Sequence, residues 1–251
     1  MKHLVNTFFR LLALSLLLMA CRQQALVSVT TTDTVVDSVA QQTVASSLDT
    51  KTEAFLRQLG LVDVHELDTS IQVHLVYATA DNFVGKVLYT DLHKAFLLPE
   101  MAEKVVRAQR LLKADRPDLS LMVLDAARPL SIQRQMFHIV AGTPQNIYVA
   151  NPNKGPGMHN YGAAVDITIV TLSGQMIDMG TPFDHFGPEA NIDREKQLVA
   201  EGKISQQAYE NRLMLRRLMK SVGLIPLWSE WWHFNLMPQE QADCELKPLD
   251  W

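Results

Sequence analysis

Gly157-Met158-His159-Asn160-Tyr161-Gly162-Ala163-Ala164-Val165-Asp166 is the stretch from which the rest of the chain can be read. It sets a histidine and an aspartate seven positions apart, at the start of a run in which Val165, Ile167 and Ile169 alternate with Asp166, Thr168 and Val170. That alternation predicts a strand with Asp166 and Thr168 on one face. Seven positions along a straight strand would put His159 and Asp166 on opposite faces. The chain must therefore bend between them, and Gly162 is where it can. Downstream, Ser229-Glu230-Trp231-Trp232-His233 supplies a second histidine and a carboxylate three residues before it.

A catalytic zinc ion takes three protein ligands and keeps one position open for water. His159, Asp166 and His233 meet that count, and Glu230 is left free to act as general base. Arg128, in Asp125-Ala126-Ala127-Arg128-Pro129 between a strand end and a proline, is the candidate to stabilise a developing oxyanion. Each residue has a plainer reading on its own. His159 reads as a hydrogen-bonded core residue and Asp166 as a turn cap. Glu230 to His233 reads as an aromatic core segment, and Arg128 as half of an ion pair with Asp125. The joint spacing favours the zinc site. His65, His74, His93, His138 and His185 lack comparable surroundings and are read as structural.

The flanking chain alternates between the two periodicities. Glu53 to Leu59 has helical spacing, and Ile71, Val73 and Leu75 suggest a strand. Pro99 opens a helix whose buried stripe is Met101, Ala102, Val105, Ala108 and Leu112. Leu119 to Leu124 reads as a buried strand and Ser131 to Val140 as a helix. Gly142 to Gly157, with three prolines and three glycines, is a long loop or lid. Residues 193 to 222 predict two helices broken at Gly202. Ser205 caps the second, Gly223 stops it, and its stripe is Tyr209, Leu213, Arg216, Met219 and Val222. Trp231 to Leu236 is a last strand. The order of elements suggests an α+β fold with a mostly antiparallel central sheet flanked by helices.

Residues 1 to 21 stand apart from this domain. Lys2, His3 and Arg10 precede an apolar run from Leu11 to Ala20, long enough for a signal-peptide core and too short for a membrane-spanning helix. The run ends Leu18-Met19-Ala20-Cys21, which resembles the lipobox of bacterial lipoproteins, with Cys21 as the lipidated residue. A plain secretory signal is the other reading. Residues 22 to 50, rich in Thr, Val, Ser, Gln and Asp, are read as a tether, and the domain is expected over 51 to 251. A formal charge of -4 argues against a nucleic-acid partner. Two cysteines, Cys21 and Cys244, exclude a disulfide scaffold, and Cys244 is read as unpaired.

The pattern His159-x-x-Gly162-x-Ala164-x-Asp166 followed by Glu230-x-x-His233 resembles the zinc D-alanyl-D-alanine dipeptidases. These include the vancomycin-resistance dipeptidase, within the D-Ala-D-Ala metallopeptidase clan. Tyr77-Ala78-Thr79-Ala80-Asp81-Asn82-Phe83-Val84-Gly85-Lys86, the Arg128-Pro129 segment and Phe183-Asp184 extend the likeness over about two hundred residues. The resemblance implies a Hedgehog/DD-peptidase-like fold and one Zn2+ held by His159, Asp166 and His233. It also implies Glu230 as base and Arg128 as transition-state stabiliser. It further implies that Asp184 holds the substrate ammonium and that Tyr77 lines the same pocket. The family often has serine two residues before the first histidine, where this chain has Gly157. The expected activity is hydrolysis of a small D-amino-acid dipeptide in the cell envelope, on the periplasmic side, by an enzyme anchored to the membrane through Cys21. Two other readings use the same residues: a carboxypeptidase acting on peptidoglycan stems, and a non-catalytic zinc-containing lipoprotein that binds wall peptide.

Overall fold

The computed structural model describes residues 49–251. The expected signal segment, Cys21 and the tether up to residue 48 lie outside the described residues. Asp49 and Thr50, assigned to the tether, already belong to the fold. Thr50 caps helix α1 (Lys51–Gln58) with a capping box. Its hydroxyl accepts from the Glu53 N–H, and the Glu53 carboxylate accepts from the Thr50 N–H, both at 3.1 Å. Asp49 pairs with Arg57 at 2.5 Å and with Lys94.

Two short strands, β1 (Val62–Asp63) and β3 (Phe96–Leu97), form a small antiparallel sheet beside the four-residue helix α2 (Val64–Leu67). The central sheet has five strands: β2 (Gln72–Val73), β4 (Leu119–Asp125), β5 (Ala164–Thr171), β6 (Ile225–Pro226) and β7 (His233–Asn235). Their order is β2–β4–β5–β7–β6. β2 runs parallel to β4 and the other pairs are antiparallel. The sheet is therefore mixed, which corrects the expectation of a mostly antiparallel one. The cause is the connection from β2 to β4. It is long and contains a full helix, α3 (Pro99–Asp115), which returns the chain to the end it left and so allows parallel pairing. β2 is also shorter than the Ile71–Leu75 alternation predicts, because the backbone turns into a 3-10 segment at Val76–Ala78.

Helix α3 has Pro99 in its first turn, where a missing N–H costs no helical bond. Its expected stripe, Met101, Ala102, Val105, Ala108 and Leu112, is buried. Pro117 ends it by driving Arg116 out of the helical region, to φ -131 and ψ 78. Both faces of β4 are covered. Leu119, Leu121 and Val123 join Ile167, Ile169 and the α3 stripe in the main core, while Met122 and Leu124 pack with Val76 and Val170 on the other face. Burying each large apolar side chain contributes about 1.5–3 kcal/mol, so this sheet–helix layer is the chief support of the fold.

Helix α4 (Leu130–Val140) follows β4, and a 3-10 segment at Pro144–Tyr148 interrupts the long loop after it. Helices α5 (Glu195–Ala200) and α6 (Gln206–Ser221) flank Gly202. Ser205 caps α6 by accepting from the Ala208 N–H at 2.9 Å, and Gly223 follows its end at φ 82. The α6 stripe differs from expectation. Ala208, Asn211, Arg212 and Leu215 are buried with Met219 and Val222, whereas Tyr209, Leu213 and Arg216 are only partly covered. Asn211 and Arg212 turn inward because loop carbonyls need their N–H groups, which hydropathy does not register. A last helix, α7 (Gln239–Glu245), lies beyond the final predicted strand and carries Cys244, exposed and free.

Candidate active site

The central strands place three functional side chains in one row. The register pairs Asp166 with Asp125 on one side and with His233 on the other. Directly opposed residues of antiparallel strands project to the same face. Asp125 reaches that face because the ladder shifts between Val123 and Asp125, a β-bulge that re-aims the strand end. His159 comes from outside the sheet, on a 3-10 turn at Met158–Tyr161. Gly162 ends that turn in the left-handed region at φ 68, and a Cβ there would lie 2.9 Å from the Leu61 side chain. The bend expected between His159 and Asp166 is thus at Gly162, and only glycine fits it.

Three donor atoms converge. His159 Nε2 is 3.2 Å from Asp166 Oδ1, His233 Nδ1 is 2.9 Å from the same oxygen, and the two ring nitrogens are 3.2 Å apart. The outer nitrogen of each ring is committed. His159 Nδ1 donates to the Ala126 carbonyl at 2.7 Å, and His233 Nε2 to Asn235 Oδ1 at 2.7 Å. A carbonyl can only accept, so in the neutral rings, the form that binds a metal, the inward nitrogens are lone pairs. Two lone pairs and an anionic oxygen at such separations repel one another unless a cation lies between them. Tetrahedral ligands about 2.0 Å from a metal stand roughly 3.3 Å apart, close to these spacings. The donor set therefore fits a divalent metal ion, and His159, Asp166 and His233 are the residues that could hold it. Without a metal, burial would raise the Asp166 pKa, but the charge and ring N–H hydrogen bonds that His159 and His233 supply when protonated overcome this and hold it far below the usual range.

Asn235 escaped the sequence reading, although its place two residues after His233 on a strand puts it on the same face. By fixing the tautomer of a ligand it should support metal affinity. Asn235→Ala is expected to weaken binding of a divalent metal at this site about 10- to 100-fold, measured by chelator competition.

Glu230 sits beside this set, with Oε2 3.8 Å from His233 Nδ1, and no lysine or arginine among the described residues pairs with it. Trp231 and Trp232, which follow it, are buried edge to face at 5.3 Å, and Trp232 packs on Phe183 at the same distance. Burial pushes the Glu230 carboxyl up to about 7, with His233 opposing and the carboxylates of Asp166 and Asp184 reinforcing.

Arg128 does form the ion pair that the plainer reading suggested. Its Nε donates to Asp125 Oδ2 at 2.9 Å, its Nη2 donates to the same oxygen, and its Nη1 donates to Gln133 Oε1 at 2.9 Å. Asp125 also accepts from the Tyr89 hydroxyl at 2.8 Å. These bonds fix the guanidinium without removing it from the site. Nη2 is 3.7 Å from Asp166 Oδ2, and the group lies 5.2 Å over the Tyr77 ring. Burial would lower its pKa, but Asp125, Tyr77, Tyr89 and Asp166 together more than offset that, so it stays charged.

Asp184 is the one non-glycine residue at positive φ (58) among the described residues, a conformation aspartate tolerates better than most. It accepts from the Tyr77 hydroxyl at 2.8 Å. Burial raises its pKa to about 7, against the lowering effect of that hydrogen bond. Tyr77, Arg128, His159, Asp166, Asp184, Glu230 and His233 all line one cavity of about 350 Å³. His185, read as structural, also lines it, with its ring bonded to Glu189 at 3.1 Å. Gln133 was missed as well. It touches the site only because α4 folds back on Arg128, and nothing in its local sequence marks it.

A mixed sheet presenting two imidazoles and a carboxylate, next to an acid with no lysine or arginine partner among the described residues and a fixed guanidinium, has the features of a metallopeptidase. The family model for D-ala-D-ala dipeptidases, Peptidase M15, matches residues 57–247, and the chain belongs to that family. It is 30% identical over 200 residues to the D-alanyl-D-alanine dipeptidase of Escherichia coli K12, covering 75% of this chain and 94% of that protein. It is 27% identical over 195 residues to the D-alanyl-D-alanine dipeptidase of Enterococcus faecium, covering 71% and 92%. The protein of that name from Synechocystis is 33% identical over 162 residues, covering 50% and 63%.

Proposed function

We propose that this protein is a zinc-dependent dipeptidase that hydrolyses D-Ala-D-Ala or related dipeptides in the cell envelope. The carrying observation is Glu230. It is an acid with no lysine or arginine partner among the described residues, in the same cavity as three converging metal donors and a fixed guanidinium. Zinc, when bound, supplies Lewis-acid polarisation of the scissile carbonyl and makes a neighbouring water more acidic. Glu230 takes the proton of the attacking water on a carboxylate oxygen and then delivers it to the leaving amine nitrogen. Arg128, held in place by Asp125 and Gln133, presents its guanidinium to the carbonyl oxygen where charge develops. Asp184, with Tyr77 donating to it, receives the substrate ammonium next to the scissile bond. A carboxylate there suits a dipeptide with a free amino end better than a stem peptide extended at that end.

The site stands on a DD-peptidase-like, Hedgehog-type fold in this reading. Cys21 carries the lipid anchor, residues 22 to 48 continue as the tether, and the domain works on the periplasmic side of a membrane on wall-derived peptide. Each buried acyl methylene adds about 0.8 kcal/mol to such anchoring.

A panel of dipeptides with D- and L-residues at both positions, together with a peptidoglycan stem pentapeptide, with and without chelator, tests the activity. Zinc-dependent release of free D-alanine from D-Ala-D-Ala supports it. Cleavage confined to stem pentapeptides would make the protein a carboxypeptidase. Zinc retention without turnover of any member would make it a binding protein.

Arg128→Lys is expected to lower kcat about 10²- to 10³-fold with a smaller effect on KM, in steady-state assays. A lysine ammonium cannot satisfy Asp125 and Gln133 and also face the carbonyl.

A further inference from the structure

Arg212 is fully buried on α6, yet it is not half of a simple ion pair. Its nearest carboxylate oxygen, on Glu195, is 4.0 Å away, and Arg216 holds that carboxylate at 3.0 and 2.6 Å. The guanidinium spends its N–H groups on a loop. Nε donates to the Met179 carbonyl at 2.6 Å and Nη1 to the Glu189 carbonyl at 2.9 Å. Nη2 lies 3.4 Å from Thr181 Oγ1, and the same hydroxyl accepts from Trp231 Nε1 at 2.9 Å. The guanidinium also sits 5.8 Å over the Trp231 ring.

The two clamped carbonyls are each five residues from Asp184, one before it and one after. The loop therefore rises from two points fixed by one rigid fork, with Asp184 at its middle in a left-handed backbone conformation. Through Thr181 and Trp231, the same fork ties the loop to the turn that carries Glu230. We infer that Arg212 is a positioning residue that sets Asp184 against Glu230 and so controls how strictly the cavity demands a free ammonium on its substrate. This rests on the reading of the site as a dipeptidase in which Asp184 receives that ammonium. Planar bidentate donation to two carbonyls is something lysine cannot reproduce, whatever its charge. Arg212 touches neither substrate nor metal, so its effect falls on amino-end recognition and not on proton transfer.

The test compares D-Ala-D-Ala with its D-lactyl-D-Ala analogue, in which a hydroxyl replaces the ammonium, in the zinc-loaded parent, Arg212→Lys and Thr181→Val. Thr181→Val is nearly isosteric and removes only the shared hydroxyl, so it still reports if Arg212→Lys fails to fold. The expected result is a KM for D-Ala-D-Ala raised about tenfold with kcat changed less than threefold. The preference for D-Ala-D-Ala over the lactyl analogue should fall by a similar factor, with zinc content unchanged. A uniform fall on both substrates, or an unchanged preference in Thr181→Val and in any folded Arg212→Lys, overturns the inference and leaves the dipeptidase reading intact. A parent that cleaves neither substrate removes that reading and the inference with it.

Discussion

On the proposed mechanism, Glu230→Gln is expected to lower kcat/KM about 10²- to 10⁴-fold, the range that a positioned general base contributes, without loss of bound metal. The amide keeps the size of the side chain and loses its capacity to hold a proton. The comparison therefore isolates proton transfer from packing against Trp231 and Trp232. In the metal-free protein, burial raises the carboxyl from its ordinary 4.5 to about 7. A bound cation beside it favours the charged form and pulls that value down. The acid limb of the parent's pH–rate profile should thus have its midpoint below 7 when loaded, with activity rising as the base deprotonates. Stability gives an independent reading. A carboxyl whose pKa is higher folded than unfolded stabilises the fold below 4.5 and loses that contribution as pH rises to about 7. The chelated parent should therefore lose thermal stability between those values relative to Glu230→Gln. A Glu230→Gln protein with undiminished turnover would remove Glu230 from the mechanism.

Asp166→Asn should abolish activity and reduce zinc affinity by more than about 100-fold, since losing only an outer partner of a ligand already costs 10- to 100-fold. The asparagine occupies the same place between His159 and His233 but brings no negative charge, and its oxygen is a weaker ligand for a divalent ion. Zinc retained after dialysis is the first measurement, and unchanged circular dichroism shows that β5 still forms. Stoichiometric zinc retained by Asp166→Asn would contradict the ligand set drawn from the converging donors.

Much of this was legible locally. The Leu119–Leu124 and Val165–Val170 runs became β4 and β5, because apolar and alternating runs of that length are satisfied as strands whatever lies around them. The α3 stripe packed as its spacing predicts, and Gly162 bends the chain where a positive φ is required. His159, Asp166, Glu230 and His233 were marked by residue type and spacing, since few arrangements besides a metal site gather two histidines and two acids in such short motifs. Their convergence in one cavity was a matter for tertiary structure.

By itself, then, the sequence determined the family, the α+β class and the chemical groups available for catalysis, because these depend on residue identity and on periodicities of a few positions. The tertiary structure decided whatever depends on partners distant along the chain. The long crossover through α3 set β2 parallel to β4, and a one-residue bulge brought Asp125 onto the face of Asp166. Hydrogen bonds to Ala126 and Asn235 determined which nitrogen each histidine offers, and loop carbonyls drew Arg212 inside. Strand register and the pairing of buried polar groups are settled by which distant backbone atoms would otherwise go unbonded, and local sequence does not encode that.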